Sequence, residues 1–211
     1  MGRVIAVAAL VALAVACQSG AHPVFSPTPP SPTPHRLPTA SVLQPSDIPT
    51  GLDPCPGSGP IDAYLTSLAQ SDARLSTRVG SQWEQLRAEG ATAGAISLFT
   101  ASPAACNAEL AATSTVKSMA SVVVVFTDAS QADRAWGSGI FGFIPPAPGE
   151  ILAGVTRGTG TQLGLSSWTY DRPPVRLACW HKSVFVALVV VGNLDVGAFN
   201  AAAAAVDARL D

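Results

Sequence analysis

The sequence predicts an α+β domain: a largely antiparallel β-sheet flanked by helices, with a C-terminal amphipathic helix packed on the sheet. Three observations predict it. Strand-like runs at 151–157, 162–170, 175–182 and 184–191 follow one another with only turn residues between them, the spacing of antiparallel hairpins. The run 122–126 is β-branched throughout and ends in an aromatic; a strand apolar on both faces belongs in the middle of a covered sheet. Helical periodicity precedes these strands at 60–89 and follows them from 196 to 210.

The chain opens with the composition and length of a secretory signal. Arg3 supplies a short basic start, an apolar run fills 4–16, and Ala14, Val15 and Ala16 stand before Cys17. That run is too short to span a bilayer, which takes about 20 apolar residues. Small residues before a cysteine resemble the lipobox of bacterial lipoproteins, in which the cysteine is lipidated and heads the mature protein. The expectation is a signal peptide at 1–16, lipid on Cys17, and a place on the extracytoplasmic side of the cell membrane, held through that anchor.

A Pro/Thr/Ser-rich tether follows, assigned to 17–50, and the domain to 51–211. Twelve of the 18 prolines lie between Pro23 and Pro60. Proline has no amide to donate, so the stretch 26–34 can form neither helix nor central strand. It should sample polyproline II at about 3.1 Å per residue, so some 30 residues reach up to roughly 90 Å. An inert spacer is expected, with a glycosylated stalk as the alternative.

Only 12% of the residues are charged, and the formal net charge is −2. Without a basic patch or a run of like charges, nucleic-acid binding has no electrostatic support. With Cys17 in the anchor, Cys55, Cys106 and Cys179 remain, an odd number that permits one internal disulfide. Cys55–Cys106 is expected. Cys55 lies in a loop before the first helix and Cys106 near the start of another, both close to the surface. Cys179 lies within a strand pattern, where a free cysteine behaves as a small buried hydrophobe. Other pairings stay open, because connectivity is not readable from spacing.

Within the domain, Pro60 suits the first position of a helix, where its missing amide would be unpaired anyway. Ile61, Tyr64, Leu65 and Leu68 recur at helical spacing, and Val79, Trp83 and Leu86 form a second stripe that Gly90 stops, predicting helices at 60–73 and 77–89. A strand at 93–99 and a short helix from Pro103 through Cys106 to 112 come next. After the strand at 122–126, Asp128 and Gln131 have capping-box spacing with Asp in place of Ser or Thr, and a short helix to Trp136 is expected. The segment 137–149 is apolar yet broken by glycine and proline, an irregular loop. Gly158, Gly160 and the run Asp171 to Pro174 supply turns between the later strands. His181, Lys182 and Ser183 read as the last hairpin turn. Asn193 or Asp195 caps the final helix, with Val196, Phe199, Ala203, Val206 and Leu210 on one face.

The residue types that carry chemistry are sparse. Of three histidines, His22 and His35 fall in the tether and His181 alone in the domain. Ser166, Ser167 or Ser183 would have to serve as its nucleophile, and there is no Gly-x-Ser-x-Gly elbow. Cys179 and His181 share a strand face but two ligands make no zinc site. The glycines at 158, 160 and 164 miss the dinucleotide spacing and read as a turn. Asp62, Glu84, Glu109, Asp128 and Asp195 sit mostly at predicted helix starts, where they complement the exposed amides. No catalytic residue, metal or cofactor is assigned. Trp136, Ile140, Phe141, Phe143 and Ile144 are the candidate contact patch: either an exposed surface or pocket lip, or side chains folded back over the sheet. Trp168 and Trp180, on neighbouring strands, are expected to be able to pair across the sheet.

Three features carry a resemblance: Cys17 with its tether; the strand 122–126 followed by Thr127, Asp128 and an alanine-rich helix; and the ending, in which 184–191 leads through a turn to a helix closing on Val206, Asp207, Ala208, Arg209 and Leu210. In these the chain resembles small extracytoplasmic lipoproteins of high-GC Gram-positive bacteria, and the sensor-type extracellular domains of mycobacterial kinases and lipoproteins. The resemblance implies an α+β domain and carries over no site residue. The expected function is a membrane-anchored binding or sensor-type domain of the cell envelope, taking a protein, glycan or small ligand. A carrier of an apolar ligand such as a lipid is the alternative, and an envelope hydrolase the third reading.

Overall fold

A computed structural model describes residues 37–113 and 115–210, and among these eight strands form one sheet in which every pairing is antiparallel. The signal at 1–16, Cys17 and the tether up to 36 lie outside the described residues. The strands are β1 (Asp53–Pro54), β2 (Gly59–Pro60), β3 (Ala91–Thr100), β4 (Ser118–Phe126), β5 (Val155–Arg157), β6 (Ser167–Arg172), β7 (Val175–Lys182) and β8 (Phe185–Gly192). Their order is β1-β3-β4-β8-β7-β6-β5, with β2 also paired to β3. The helices are α1 (Pro38–Ser41), α2 (Ile61–Ser71), α3 (Ala73–Ala88), α4 (Ala129–Ser138) and α5 (Val196–Asp207). The chain leaves β4 through α4, crosses to the far edge as β5, and returns as a meander that slots β8 beside β4.

The central position of β4 and β8 follows from their composition. All eight residues of β8 are buried. Val186, Leu188 and Val190 face the core under α2, α3 and α4; Phe185, Ala187, Val189 and Val191 face the core under α5. Only a strand covered on both faces removes both sets from water, at about 1.5–3 kcal/mol for each large side chain. Asp72, Asp128 and Asp195 start α3, α4 and α5 by accepting the amides of Leu75 (2.9 Å), Gln131 (2.9 Å) and Ala198 (2.8 Å). Each such cap stabilises its helix by about 1 kcal/mol. Asp195, not Asn193, is the cap of α5. Cys55 and Cys106 are joined, with Cα atoms 5.5 Å apart, and Cys179 is free and buried.

The largest difference from the sequence reading is at 37–50. That stretch was assigned to the tether, yet it folds onto the α5 face. Val42 and Leu43 are buried in its core, and the Leu43 amide donates to Ser121 Oγ at 2.8 Å. Ser121 in turn hydrogen-bonds Ser97 at 2.8 Å, so two strand serines that would be orphaned are matched. The folded part therefore already includes Leu37, ahead of the boundary at 51.

Other differences are local. Pro60 pairs with Ala95 as part of β2 and caps α2 from outside, so α2 begins at Ile61. The helix expected at 103–112 is two 3₁₀ turns, Pro103–Asn107 and Glu109–Ala111; within the second, Leu110 turns to φ 49° and buries its side chain. The strands expected at 151–157 and 162–170 contract to Val155–Arg157 and Ser167–Arg172. A 3₁₀ turn at Gly158–Thr161, closed by Gln162 in the left-handed region, takes the residues between. Trp168 pairs with Cys179 and Trp180 with Ser167. The two indoles thus lie on opposite faces, and no tryptophan pair forms, because a one-residue offset in register exchanges the faces. On α5, Phe199, Ala203 and Val206 are buried, as is Leu210 just past its end, but Val196 in the first turn is exposed.

Candidate functional site

Helices α2, α3 and α4 cover one face over β3, β4, β8 and part of β7, and leave the outer strands to the segment after α4. That segment turns back at Gly139 (φ 94°). A Cβ there would stand 2.9 Å from the Ile144 backbone and 3.0 Å from the Phe143 carbonyl, so only glycine lets the chain fold against itself. Phe141 (φ 48°) and Gly142 (φ 82°) then make a tight turn in which the Phe143 amide reaches the Ile140 carbonyl at 2.8 Å. Pro145, Pro146 and Pro148 lack the donors to join the sheet. A second turn closes where the Glu150 carboxylate accepts the Ala147 amide at 3.0 Å.

Between this segment and the sheet lies a cleft of about 750 Å³. Its floor is one row of the sheet, Val155, Tyr170 and Leu177, paired in register, with Trp168 from the next row. Its wall is Ile144, Pro145, Pro146, Leu152 and Ala153. Glu150 and Arg172 also line it, and their exposure places them at its mouth. Among the described residues, neither the Tyr170 hydroxyl nor the Arg172 guanidinium has a hydrogen-bond or ion-pair partner. Two further donors on this face, Trp168 Nε1 and Arg157 Nη1, are buried without an acceptor, and their residues are directly paired across β5 and β6.

The five candidate patch residues do not gather at one surface. Ile140 and Phe141 are in the core. Trp136 and Phe143 are half-buried against it, and Trp136 Nε1 donates to the Cys179 carbonyl at 3.5 Å. Ile144 alone, 64% exposed, reaches the cleft. The patch thus mostly folds back over the sheet, and the cleft sits one step further along. Its floor residues escaped the sequence reading although a signal existed: Trp168 and Tyr170 alternate on one face of a strand near the exposed Ile151 and Leu152.

His181 and Lys182 are not in the turn; they are the last two residues of β7, and Ser183 (φ 55°) makes the turn. A carbonyl only accepts, so the ring Nε2 donates to the Ser183 carbonyl, at 2.6 Å, while Nδ1 lies 3.5 Å from Asp133. Both nitrogens are engaged, and no described serine hydroxyl bonds the ring. Ser167 Oγ is instead bound to Thr161 at 2.6 Å and to the Gly158 carbonyl at 3.1 Å. The ring braces α4 against the end of β7.

The candidate carboxylates are likewise occupied. Asp62 accepts Trp83 Nε1 at 3.1 Å, Glu84 pairs with Arg87 at 3.4 Å, and Glu109 pairs with Arg78. Asp128 and Asp195 are the caps described above. Burial pushes the Cys179 thiol up, which holds it neutral and unreactive. Among the described residues no three His, Cys, Asp or Glu side chains gather as a metal site. No helix among them is long and apolar enough to cross a membrane.

On the opposite face a second cleft, about 400 Å³, lies between α5 and the outer strands, lined by Thr156, Thr161, Thr169, Asp171, Asn200 and Asp207 among others. Its two carboxylates are taken: Asp171 pairs with Arg176 at 2.7 Å, and Asp207 accepts Trp180 Nε1 at 3.0 Å and faces Lys182 at 3.5 Å. No family model, curated protein or solved structure matches the chain.

Proposed function

We propose that this domain binds an apolar ligand in the cleft between β5–β7 and the segment 144–153, and that Cys17 and the proline-rich stretch hold it on the outer side of a bacterial membrane. One observation carries the reading. Of the six large hydrophobic side chains that stand exposed among the described residues, three, Ile144, Ile151 and Leu152, belong to this one segment, and two of them wall a cleft floored by Val155, Trp168, Tyr170 and Leu177. Scattered exposed apolar residues are ordinary, but a cluster around a concave apolar surface marks a binding site. The volume lies within the roughly 300–1,000 Å³ of small-molecule sites. Burying about 200 Å² of ligand there would contribute about 5 kcal/mol before the cost of association.

The test uses the full chain carrying Cys17→Ser, so that no anchor brings lipid with it. Titration with N-phenyl-1-naphthylamine, a neutral apolar fluorophore, should give saturable binding in the micromolar range. Ala153→Trp, which fills the cleft from an exposed position, should weaken binding at least tenfold while leaving the melting temperature unchanged. Absence of saturable binding, or equal binding by the Ala153→Trp chain, overturns the reading.

A further inference from the structure

We propose that the ligand of this cleft is an anionic amphiphile, a single alkyl chain ending in a carboxylate or phosphate, whose head is held at the mouth by Arg172 and Tyr170. The inference rests on the cleft being the binding site and adds the chemistry of what it takes.

In a chain with few charges, Arg176 is paired with Asp171 at 2.7 Å, Lys182 with Asp207 at 3.5 Å and Arg209 with Asp47 at 2.7 Å, while Arg157, beside Trp168, keeps its Nη1 buried without an acceptor. Arg172 lines the apolar cleft and has no such partner among the described residues. Its stem is also positioned. It lies over Gly154, where an added Cβ would stand 2.5 Å from Arg172 Cγ and 3.1 Å from Cδ. Gly154 (φ 83°) therefore leaves room for the arginine stem along the loop. A guanidinium offers paired donors that match the two oxygens of a carboxylate or phosphate.

Tyr170 supplies a second donor on the same face. It stands two residues before Arg172 on β6, so the side chains of both point to the cleft side, and its hydroxyl has no partner among the described residues. The floor beyond is Val155, Trp168 and Leu177, whose apolar side chains offer an alkyl chain contact. The opposing charge at the mouth is Glu150, whose carboxylate is held by the Ala147 amide at 3.0 Å. A head group with negative charge and an apolar tail satisfies both halves of the cleft. A neutral apolar molecule satisfies one.

The experiment titrates the full chain carrying Cys17→Ser with dodecanoate, dodecyl phosphate and dodecan-1-ol, each below its aggregation threshold. Both anions should bind at least tenfold more tightly than the alcohol. Arg172→Gln should weaken the anions by about 10–100-fold, the worth of a charge-assisted contact, and leave the alcohol unchanged. Tyr170→Phe should weaken the anions by a smaller factor. Glu150→Gln should tighten both, by relieving repulsion. A preference for one anion over the other assigns the head as carboxylate or phosphate, and either preference supports the proposal. Equal binding of the alcohol and the anions, or indifference of the anions to Arg172→Gln, overturns the head-group assignment and leaves the apolar cleft standing. Failure of all three ligands, with N-phenyl-1-naphthylamine also failing to bind, removes the cleft itself. Binding only to dodecanoate-containing vesicles and never to monomers also overturns the proposal, in favour of a membrane surface.

Discussion

Arg209 lays its guanidinium across both carboxylate oxygens of Asp47, Nη1 to Oδ2 at 2.8 Å and Nη2 to Oδ1 at 2.7 Å. The pair joins a residue just past α5 to the N-terminal segment 37–50. Arg209 Nη1 also lies 3.4 Å from the Val42 carbonyl, and Asp47 Oδ2 accepts the Gln44 amide at 2.7 Å. The fork thus closes a small polar rim over Val42 and Leu43, which would otherwise meet water.

Asp47→Asn is expected to destabilise the chain by about 1–3 kcal/mol at neutral pH, the range for hydrogen bonds to charged groups. Arg209 beside it, more than the Gln44 amide, holds the Asp47 carboxyl below its usual value of 3.8, against a smaller desolvation that raises it. A carboxylate depressed in the folded state contributes stability above its unfolded value and loses it as pH falls through the folded one. The advantage of the wild type over Asp47→Asn should therefore be full above about pH 5, start to fall near pH 4, and be lost only below the lowered folded value. Urea unfolding at pH 7 and at steps down through the acid range follows the loss; a pH-independent gap would show that the charge is not the cause.

The disulfide should matter more than any single contact. It spans 51 residues of sequence between Cys55 and Cys106. Closing such a loop in the unfolded chain contributes about 4 kcal/mol on the chain-entropy account. Replacing both cysteines by serine should lower stability by up to that amount. The chain that keeps both cysteines offers a check on Cys179. With Cys17→Ser, one thiol should react with a maleimide after unfolding without reductant, and none in the native state, as its complete burial requires. Three reactive thiols in the unfolded chain would refute the Cys55–Cys106 bond.

Gly94 marks where the helices touch β3. A Cβ there would lie 2.6 Å from Ile61 Cδ1 and 3.1 Å from Trp83 Cη2, both of buried side chains. Gly94→Ala should therefore destabilise by about 1–3 kcal/mol through overpacking. Ile61→Val removes the Cδ1 atom that obstructs it, so the double variant should recover part of the loss. A thermal melt of the four chains gives the coupling; additive losses would mean that the contact is not the cause.

Much of the fold is legible along the chain, because the features that set it are local. The octet at 185–192 is apolar at every position, and only a doubly covered strand satisfies it. Asp128 and Asp195 act three residues from themselves; Asp72, within the helix expected at 60–73, instead ends α2 and caps α3 at Ala73, ahead of the expected start at 77. Cys55 and Cys106 were expected as partners from their surroundings. By contrast Val42 and Leu43 sit among prolines and serines and read as tether; nothing nearby reveals the partners that bury them, Ser121 and the end of α5. The patch at 136–144 was correctly recognised as apolar, but its alternatives differ only in what lies beneath it.

The sequence by itself determined the α+β class, the antiparallel sheet, its buried central strands and the Asp caps of α4 and α5, since these depend on periodicity and on groups a few residues apart. The tertiary structure alone decided the register of β6 on β7, and with it which faces Trp168 and Trp180 take. It decided that 37–50 joins the domain, and that Val155, Tyr170, Leu177 and Arg172 meet the segment 144–153 around one cleft. The physical reason is common to all three. Each rests on contacts between segments distant in sequence, and a shift of a single residue in pairing turns every side chain of a strand to its other face.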